Sequence, residues 1–442
     1  MYQTIKVVFY WKGEKIIETI YKTKNGKLIN GDNLEVLAKL KDNTVDNCIS
    51  DFPYDLSFMG KKWDTTGNFY EWCKPRAKEL YRVLKPGGYA LIFGHPKTNH
   101  RMKCAFEDEG FNIVEEIDWI YFTGFPKNQD IGKMMDKKVG KERDVIGTYK
   151  TPGGGKELST YNNWQSDTLK DGTQQRKNTM ITAPSSDLAK QWDGWKTSGL
   201  KPAKEPITVF QKPLEGTYCD NIEKWNVGGM NIDACRIGIS QKDIDMLNAK
   251  SSKNPTTNYG DKDDKIYGKY AKDMAMPPNS EGRFPPNIIF DEVTGQMLDE
   301  QTGTREGCKP HHIKSNKDGY KEWGNKAKKD EFFGYADSGG GSRFFYTAKS
   351  SPKEKKLSDG TKNPHVTVKP ISLIKWLIKL VTPKDGITID ITAGSCTHGA
   401  SCEELIRDEG YNIKWLNIEI TNTEDEPYCD FAKKRLEEIH KQ

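Results

Sequence analysis

The 442-residue chain contains no run of about 18 apolar residues, so no part of it reads as a membrane-spanning helix. It lacks a Gly-Lys-Ser/Thr phosphate loop, a His-Glu-x-x-His pair, a Gly-x-Ser-x-Gly elbow and a Gly-x-Gly-x-x-Gly fingerprint. Those absences argue against a P-loop nucleotidase, a zinc protease, a serine hydrolase and a dinucleotide oxidoreductase. Charge of one sign is scarce: 68 Lys+Arg against 63 Asp+Glu leave only +5, which by itself barely favours nucleic acid. The nine cysteines are scattered and odd in number, and the opening Met-Tyr-Gln-Thr leads into no apolar signal segment. Together these predict a cytoplasmic protein with reduced thiols. Cys308, His311 and His312 lie close together, but no fourth ligand and no Cys-x-x-Cys accompany them, so no metal is expected. Hydrophobic residues make up only 35% of the chain, and mean hydropathy is −0.79. A core of this size leaves long polar segments outside it, and the length exceeds that of a typical single domain.

Strand and helix patterns alternate over residues 28–127 and again over 346–442. "VDNCIS", "YALIFG", "NIVEEIDWIYF", "GITIDI" and "NIKWLNIEI" read as strands, and "ISLIKWLIKLV" and "CDFAKKRLEEIH" as helices. Such alternation predicts an α/β layer with a largely parallel sheet. From 128 to 345 the order dissolves into loop material such as "TPGGGKE" and "SSKNPTTNYGDKDD", so the block reads as an insertion that splits the layer. Residues 1–27 read as a β-hairpin appendage turning near Gly13.

Two strand ends carry the chemistry. Asp390 closes "GITIDI", Gly394 and Ser395 follow, and a helix begins near Thr397. A glycine turn leading into a helix N-terminus offers free N–H groups and close backbone approach to a cofactor. Glu419, near the end of the next strand, stands where nucleoside-binding α/β folds keep a ribose-hydroxyl acceptor. Without a pyrophosphate loop, this pattern suits an adenosine compound better than a dinucleotide. The other strand ends in Asp51-Phe52-Pro53-Tyr54. The Asp51 carboxylate and the Phe52 carbonyl, held by the rigid Pro53, can each accept one hydrogen of an exocyclic amine, and Tyr54 can stack on the ring that bears it. Further on, Arg343, Lys349, Lys353, Lys355 and Lys356 lie beside three aromatics, a composition suited to phosphates and exposed bases.

The pair of sites resembles the DNA amino-methyltransferases of the β group, which act on adenine N6 or cytosine N4. Asp51-Phe52-Pro53-Tyr54 is similar to that family's Asp/Asn/Ser-Pro-Pro-Tyr/Phe motif. Asp390-Ile-Thr-Ala-Gly394-Ser-Cys396-Thr397 resembles its cofactor motif, Asp-Pro-Phe-x-Gly-Ser-Gly-Thr. "LSFMGKKWD", "GFPKNQDIGK", "GLKPAKEPI" and "GGMNIDACRIG" look like segments of phage-type members. The resemblance implies a Rossmann-like S-adenosyl-L-methionine-dependent methyltransferase core with a mixed seven-stranded sheet, interrupted by a target-recognition region. Residues 28–127 would hold the target base and 346–442 the cofactor. Asp51, Phe52, Pro53 and Tyr54 would form the catalytic set. Asp32, Asn33, Lys369, Asp390, Thr392, Gly394, Ser395, Cys396 and Glu419 would bind S-adenosyl-L-methionine, with Lys369 on the methionine carboxylate and Asp32 and Asn33 on the adenine. The partner would be double-stranded DNA with its target base flipped; a homodimer is compatible with this. Leading with Asp favours adenine N6; cytosine N4 and a degenerate, non-catalytic binder are the alternatives. Four departures stand out. Phe52 replaces the first proline, Ile391-Thr392 replace Pro-Phe, His398 stands where threonine is usual, and Cys396 replaces the second glycine, where a side chain is expected to narrow the approach to the cofactor.

Overall fold

The computed structural model describes residues 17–56, 60–122, 124, 128–148, 166–168, 174–176, 180–197, 199–239, 282–305, 311–312, 331–332 and 338–441. The chain divides into two compact units, one comprising Met1–Phe122 with Lys204–Gln442, the other Thr123–Ala203.

The larger unit is built on one mixed sheet of ten strands, where the sequence led us to expect seven. Their order across the sheet is Glu18–Lys22, Gly26–Asn30, Lys414–Glu419, Ile387–Asp390, Val45–Asp51, Leu84–Phe93, Lys204–Gln211, Asn112–Ile120, Ile288–Asp291 and Tyr346–Ala348. Only Glu18–Lys22 and Lys204–Gln211 run antiparallel to their neighbours. The strands read from the sequence form as expected; Val45–Asp51, Leu84–Phe93 and Ile387–Asp390 are buried on both faces, the pattern of strands covered on two sides, while Asn112–Ile120 is half-exposed. The expected hairpin around Gly13 lies largely outside the described residues. Its second arm, Glu18–Lys22, pairs instead with Gly26–Asn30 and so extends the main sheet. The region read as one insertion, 128–345, is divided: Lys204–Gln211 and Ile288–Asp291 lie within the sheet.

One face of the sheet is covered by helices Ile371–Val381, Thr397–Glu409 and Tyr428–Lys441, whose Trp376, Leu377, Leu405 and Leu436 enter one apolar cluster. The other is covered by Phe69–Val83 and Asn99–Asp108, with Leu80, Phe106 and Phe210 at the centre of the second cluster. Val45–Asp51 and Ile387–Asp390 lie side by side, and from that pair the chain winds outward in opposite directions. Open α/β sheets bind ligands at such a switch, beyond the carboxyl ends of the strands.

The smaller unit contains helices Ile131–Lys138 and Asp187–Gln191, capped by Asp130 and Ser186. Buried Asp136 ties them together, accepting from the Arg143 guanidinium (2.7 Å) and from the Ser185 and Ser186 backbone N–H groups (3.0 and 2.8 Å). Residues 123–203 hold 14 Lys+Arg and 9 Asp+Glu, an excess of five. The whole formal charge of the chain, 68 against 63, is therefore matched by this stretch.

Candidate active site

Asp51 and Asp390 end neighbouring strands, and the two ends are stitched together. The Ser50 hydroxyl donates to Asp390 Oδ1 (2.6 Å) and lies 2.7 Å from Thr392 Oγ1, which donates to the Asp51 carbonyl (2.9 Å). Asp390 is buried, and burial pushes its carboxyl up to about 7 despite the hydrogen bonds from Ser50 and Thr392. A carboxylate whose pKa rises on folding binds its proton more tightly in the folded state. The stability it lends is complete below about pH 4 and is lost as pH climbs towards 7. Asp390→Asn keeps an oxygen for Ser50 and Thr392 and removes the charge. We expect it to stabilise the protein by on the order of 2 kcal/mol at pH 8, with a gain that shrinks towards pH 5 in thermal melts. A gain independent of pH would place the Asp390 charge in water.

The loop after Asp51 is shaped by a residue that the sequence reading passed over. Buried Asp64 accepts from the backbone N–H groups of Tyr54 (2.6 Å), Asp55 (3.1 Å) and Leu56 (3.2 Å). Phe52 turns its ring into the core against Trp72 and Phe106, and the Thr98 hydroxyl donates to the Tyr54 carbonyl (2.9 Å).

Tyr54 points its hydroxyl inward, 2.9 Å from Asp51 Oδ1 and 3.1 Å from Glu205 Oε2. Lys369 completes the group: its Nζ is 2.6 Å from Asp51 Oδ2, 3.1 Å from Glu205 Oε2 and 3.2 Å from the Tyr54 hydroxyl. Burial works against the Lys369 charge, yet Asp51 and Glu205 outweigh it and hold the ammonium above its ordinary range. The sequence reading placed Lys369 at a cofactor carboxylate; in the structure its ammonium lies between two protein carboxylates. Glu205 was not foreseen. The only signal was "KPAKEPITVF", an acid just before an apolar run, and its meaning depends on that strand running antiparallel.

On the other side of the switch, Gly394 adopts a left-handed φ of 52° and donates its N–H to Glu419 Oε2 (2.6 Å), while Glu419 Oε1 accepts from Thr421 N–H (2.7 Å). Burial raises the Glu419 carboxyl, against those backbone donors. Asp32 caps the helix Asn33–Leu37, and Asn33 donates to the Ile391 carbonyl (2.9 Å), so both stand beside the same turn. Ser395 accepts from Asn363 (3.0 Å), and Arg435 reaches its carbonyl (3.3 Å). All the residues expected at the two sites therefore gather along one edge of the sheet.

Cys396 departs from expectation. Its φ of 61° confirms a position that favours glycine, but its side chain is fully buried in the apolar cluster under the sheet, so it does not narrow the approach from the cavity side. The left-handed backbone costs roughly 1 kcal/mol, and replacing the thiol forfeits packing of similar size. Glycine adds chain entropy of about 0.5–1 kcal/mol to the unfolded state. Cys396→Gly should therefore lower stability by about 1 kcal/mol and leave affinity for the methyl donor unchanged; denaturant titration and calorimetry measure both. Tighter donor binding in the variant would put the thiol back in the cofactor's way.

The residues fit an adenosine-type cofactor such as S-adenosyl-L-methionine. Asn33 Oδ1 is buried with no hydrogen-bond partner, Glu419 reaches the glycine turn, and a Cβ on Gly394 would come 2.9 Å from His365 Nε2. His365 packs between Trp63 and Tyr428, and burial lowers its pKa to about 4. The cavity between Asp51, Lys369, Asp390 and His365 measures about 40 Å³, room for roughly two or three waters. Among the described residues no group of three or more His, Cys, Asp or Glu is placed to hold a metal, and Cys308 lies outside them. Among them, too, no helix is long and apolar enough to cross a membrane.

The fold and the two joined strand ends define an α/β protein of the methyltransferase type. A family model described as DNA methylase matches residues 45–434, and the chain belongs to that family. The type II methyltransferase M.HindIII of Haemophilus influenzae is 23% identical over 243 residues, 46% of this chain and 64% of its own length. M.BamHI of Bacillus amyloliquefaciens is 36% identical over 87 residues, 19% of this chain and 21% of its own. In both cases the match spans less than two thirds of the relative. A solved structure of PvuII DNA methyltransferase (cytosine-N4-specific) aligns over 95% of both chains at 14% identity and a TM-score of 0.41.

Proposed function

We propose that this protein transfers a methyl group from S-adenosyl-L-methionine to an exocyclic amine of a base in DNA, and that the amine is adenine N6. The observation that carries the reading is the juxtaposition at the switch: Asp51 beside Asp390, with the Gly394–Glu419 turn one strand further on. Bound there, the cofactor supplies an electrophilic methyl group. Asp51 and the Phe52 carbonyl hold the two amine hydrogens and draw the nitrogen lone pair towards that methyl. The work is positioning and electrostatics, with no covalent intermediate on the protein. Glu419 and Asn33 hold the adenosine end, and Gly394 permits close approach. Because an amine in a duplex is paired and stacked, the base must leave the helix to reach Asp51.

DNA as the partner is supported by the location of the charge. The five surplus cations of residues 123–203 equal the surplus of the chain, and exposed Trp195 lies in the same unit. Contact with a phosphate backbone calls for an excess of cations. Asp at the head of the motif favours adenine. The test is long-read sequencing of DNA from cells expressing the protein, paired with calorimetry of S-adenosyl-L-methionine binding. N6-methyladenine in a fixed context supports the reading, N4-methylcytosine overturns the choice of base, and no modification with no cofactor binding overturns the activity.

A further inference from the structure

Glu205 is a half-buried acid, its side chain 15% exposed, at the reactive edge, to which the mechanism above gives no work. The strand Lys204–Gln211 runs antiparallel to Leu84–Phe93, with Ile207 opposite Phe93, so its first residues lie at the same edge as the last residues of its neighbour. Glu205 Oε2 is 3.1 Å from the Tyr54 hydroxyl and 3.1 Å from Lys369 Nζ. The same hydroxyl is 2.9 Å from Asp51 Oδ1. A tyrosine has one hydroxyl hydrogen, and here two carboxylates compete for it; donation to one leaves the tyrosine oxygen able to accept from the other once that other carboxyl is protonated.

Methylation of an amine leaves a proton to be removed. Asp51 is the group nearest that nitrogen in the reading above, but its other oxygen is engaged by Lys369 at 2.6 Å. We propose that Glu205 is the final acceptor of the amine proton, reached from Asp51 through the Tyr54 hydroxyl. This rests on the methyl-transfer reading and deepens it. As the nitrogen–methyl bond forms and the sulfur–methyl bond of the donor breaks, a nitrogen–hydrogen bond breaks and its electron pair stays on nitrogen. The proton goes to Asp51 Oδ1 and from there to the Tyr54 oxygen, whose own hydrogen passes to Glu205 Oε2. Tyrosine ends neutral with its hydroxyl turned round, Glu205 ends as the neutral acid, and Lys369 remains charged beside the tyrosine oxygen.

The groups facing Glu205 agree with this role. Burial favours its protonated form and so does the charge of Asp51, while Lys369 and the Tyr54 hydroxyl oppose it. Tyr121, half-buried at the end of the adjacent strand, is the remaining titratable neighbour; burial and Glu205 together keep it neutral. Burial thus makes Glu205 a better proton acceptor than an exposed carboxylate, while its contacts with the Tyr54 hydroxyl and Lys369 give it the place to receive one.

The test uses single-turnover methylation by the full-length protein, with a labelled methyl donor and genomic DNA that the wild type modifies. Glu205→Gln and Tyr54→Phe are each expected to slow the turnover by about 100-fold at pH 7.5, with the dissociation constant for S-adenosyl-L-methionine unchanged and thermal melts close to wild type. The double variant should be no slower than the slower single one, because both act on one path. The Glu205→Gln deficit should shrink as pH rises to 9, where hydroxide takes the proton directly. Wild-type rates in Glu205→Gln, multiplicative losses in the double variant, or a deficit flat with pH and joined by weaker cofactor binding would each overturn the relay, the last by reducing Glu205 to an anchor for Lys369. A wild type that methylates no DNA would overturn the underlying reading and the relay with it.

Discussion

Asp51→Asn is expected to lose methyl transfer by about 100- to 1,000-fold while binding S-adenosyl-L-methionine as the wild type does. The asparagine fills the same space and still offers an oxygen to Lys369, so the ion-pair group should hold together. What disappears is the negative charge that, in the proposed reaction, draws the amine nitrogen towards tetrahedral geometry and then receives its proton. The cofactor side is independent of this, because its turn is held by Glu419 through the Gly394 N–H at 2.6 Å, one strand beyond Asp390. Filter binding of labelled product and calorimetry of the cofactor separate the two effects. Equal loss of both in a folded variant would move Asp51 to the cofactor side of the site.

Lys369→Met should have the largest effect on stability. The ammonium is 6% exposed and has two carboxylate partners, at 2.6 Å and 3.1 Å. Removing one member of a buried ionic group typically costs about 3–5 kcal/mol, since the charges left behind keep their desolvation penalty. The loss should depend on pH, and its sign follows from Glu205. Burial already raises that carboxyl in the wild type, and Lys369 is the main influence holding it down. Without Lys369 the folded-state value rises further above the unfolded one. Such a group lends full stability below its unfolded pKa and loses it as pH rises through the folded one. Denaturant unfolding should therefore show a small deficit near pH 5 and a large one near pH 8. A deficit below about 1 kcal/mol at pH 8 would mean that water reaches the group and screens it.

The strands that carry the two sites were legible because each is a short apolar run ended by an acid, and the order of the motifs fixed which ends face a ligand. In this way Asp51, Asp390 and Glu419 were expected at strand ends, and the structure places them at the ends of three successive strands. Lys204–Gln211 was not, since its run stands in a polar neighbourhood and local pattern carries no information about strand direction. Glu205 was lost with it: only antiparallel insertion between Leu84–Phe93 and Asn112–Ile120 brings it to the active edge. Asp64 was missed for a different reason. Its value lies in three backbone N–H groups that converge on one carboxylate, and such convergence is a property of the folded loop. Cys396 shows the opposite case. The sequence located the strained position correctly, but the direction of the side chain is set by the helix that follows. The basic and aromatic stretch after residue 338 read as a surface for bases, yet Arg343 lies over Phe344 (4.4 Å) and Tyr346 stacks on Trp376 (5.3 Å), so these rings serve the unit's own packing.

The hydrogen bond from Ser50 to Asp390 joins residues 340 positions apart in the chain. A ribosome adding about 5–20 residues per second leaves Val45–Asp51 without its neighbour on that side for roughly 17–70 seconds. During that time the strand offers a bare row of N–H and C=O groups, and the base-holding acid exists without the cofactor turn. Incomplete chains therefore lack the joined site and are the species most prone to pair with one another. Yield should respond to chaperone supply and to the temperature of synthesis more than the stability of the finished protein would suggest.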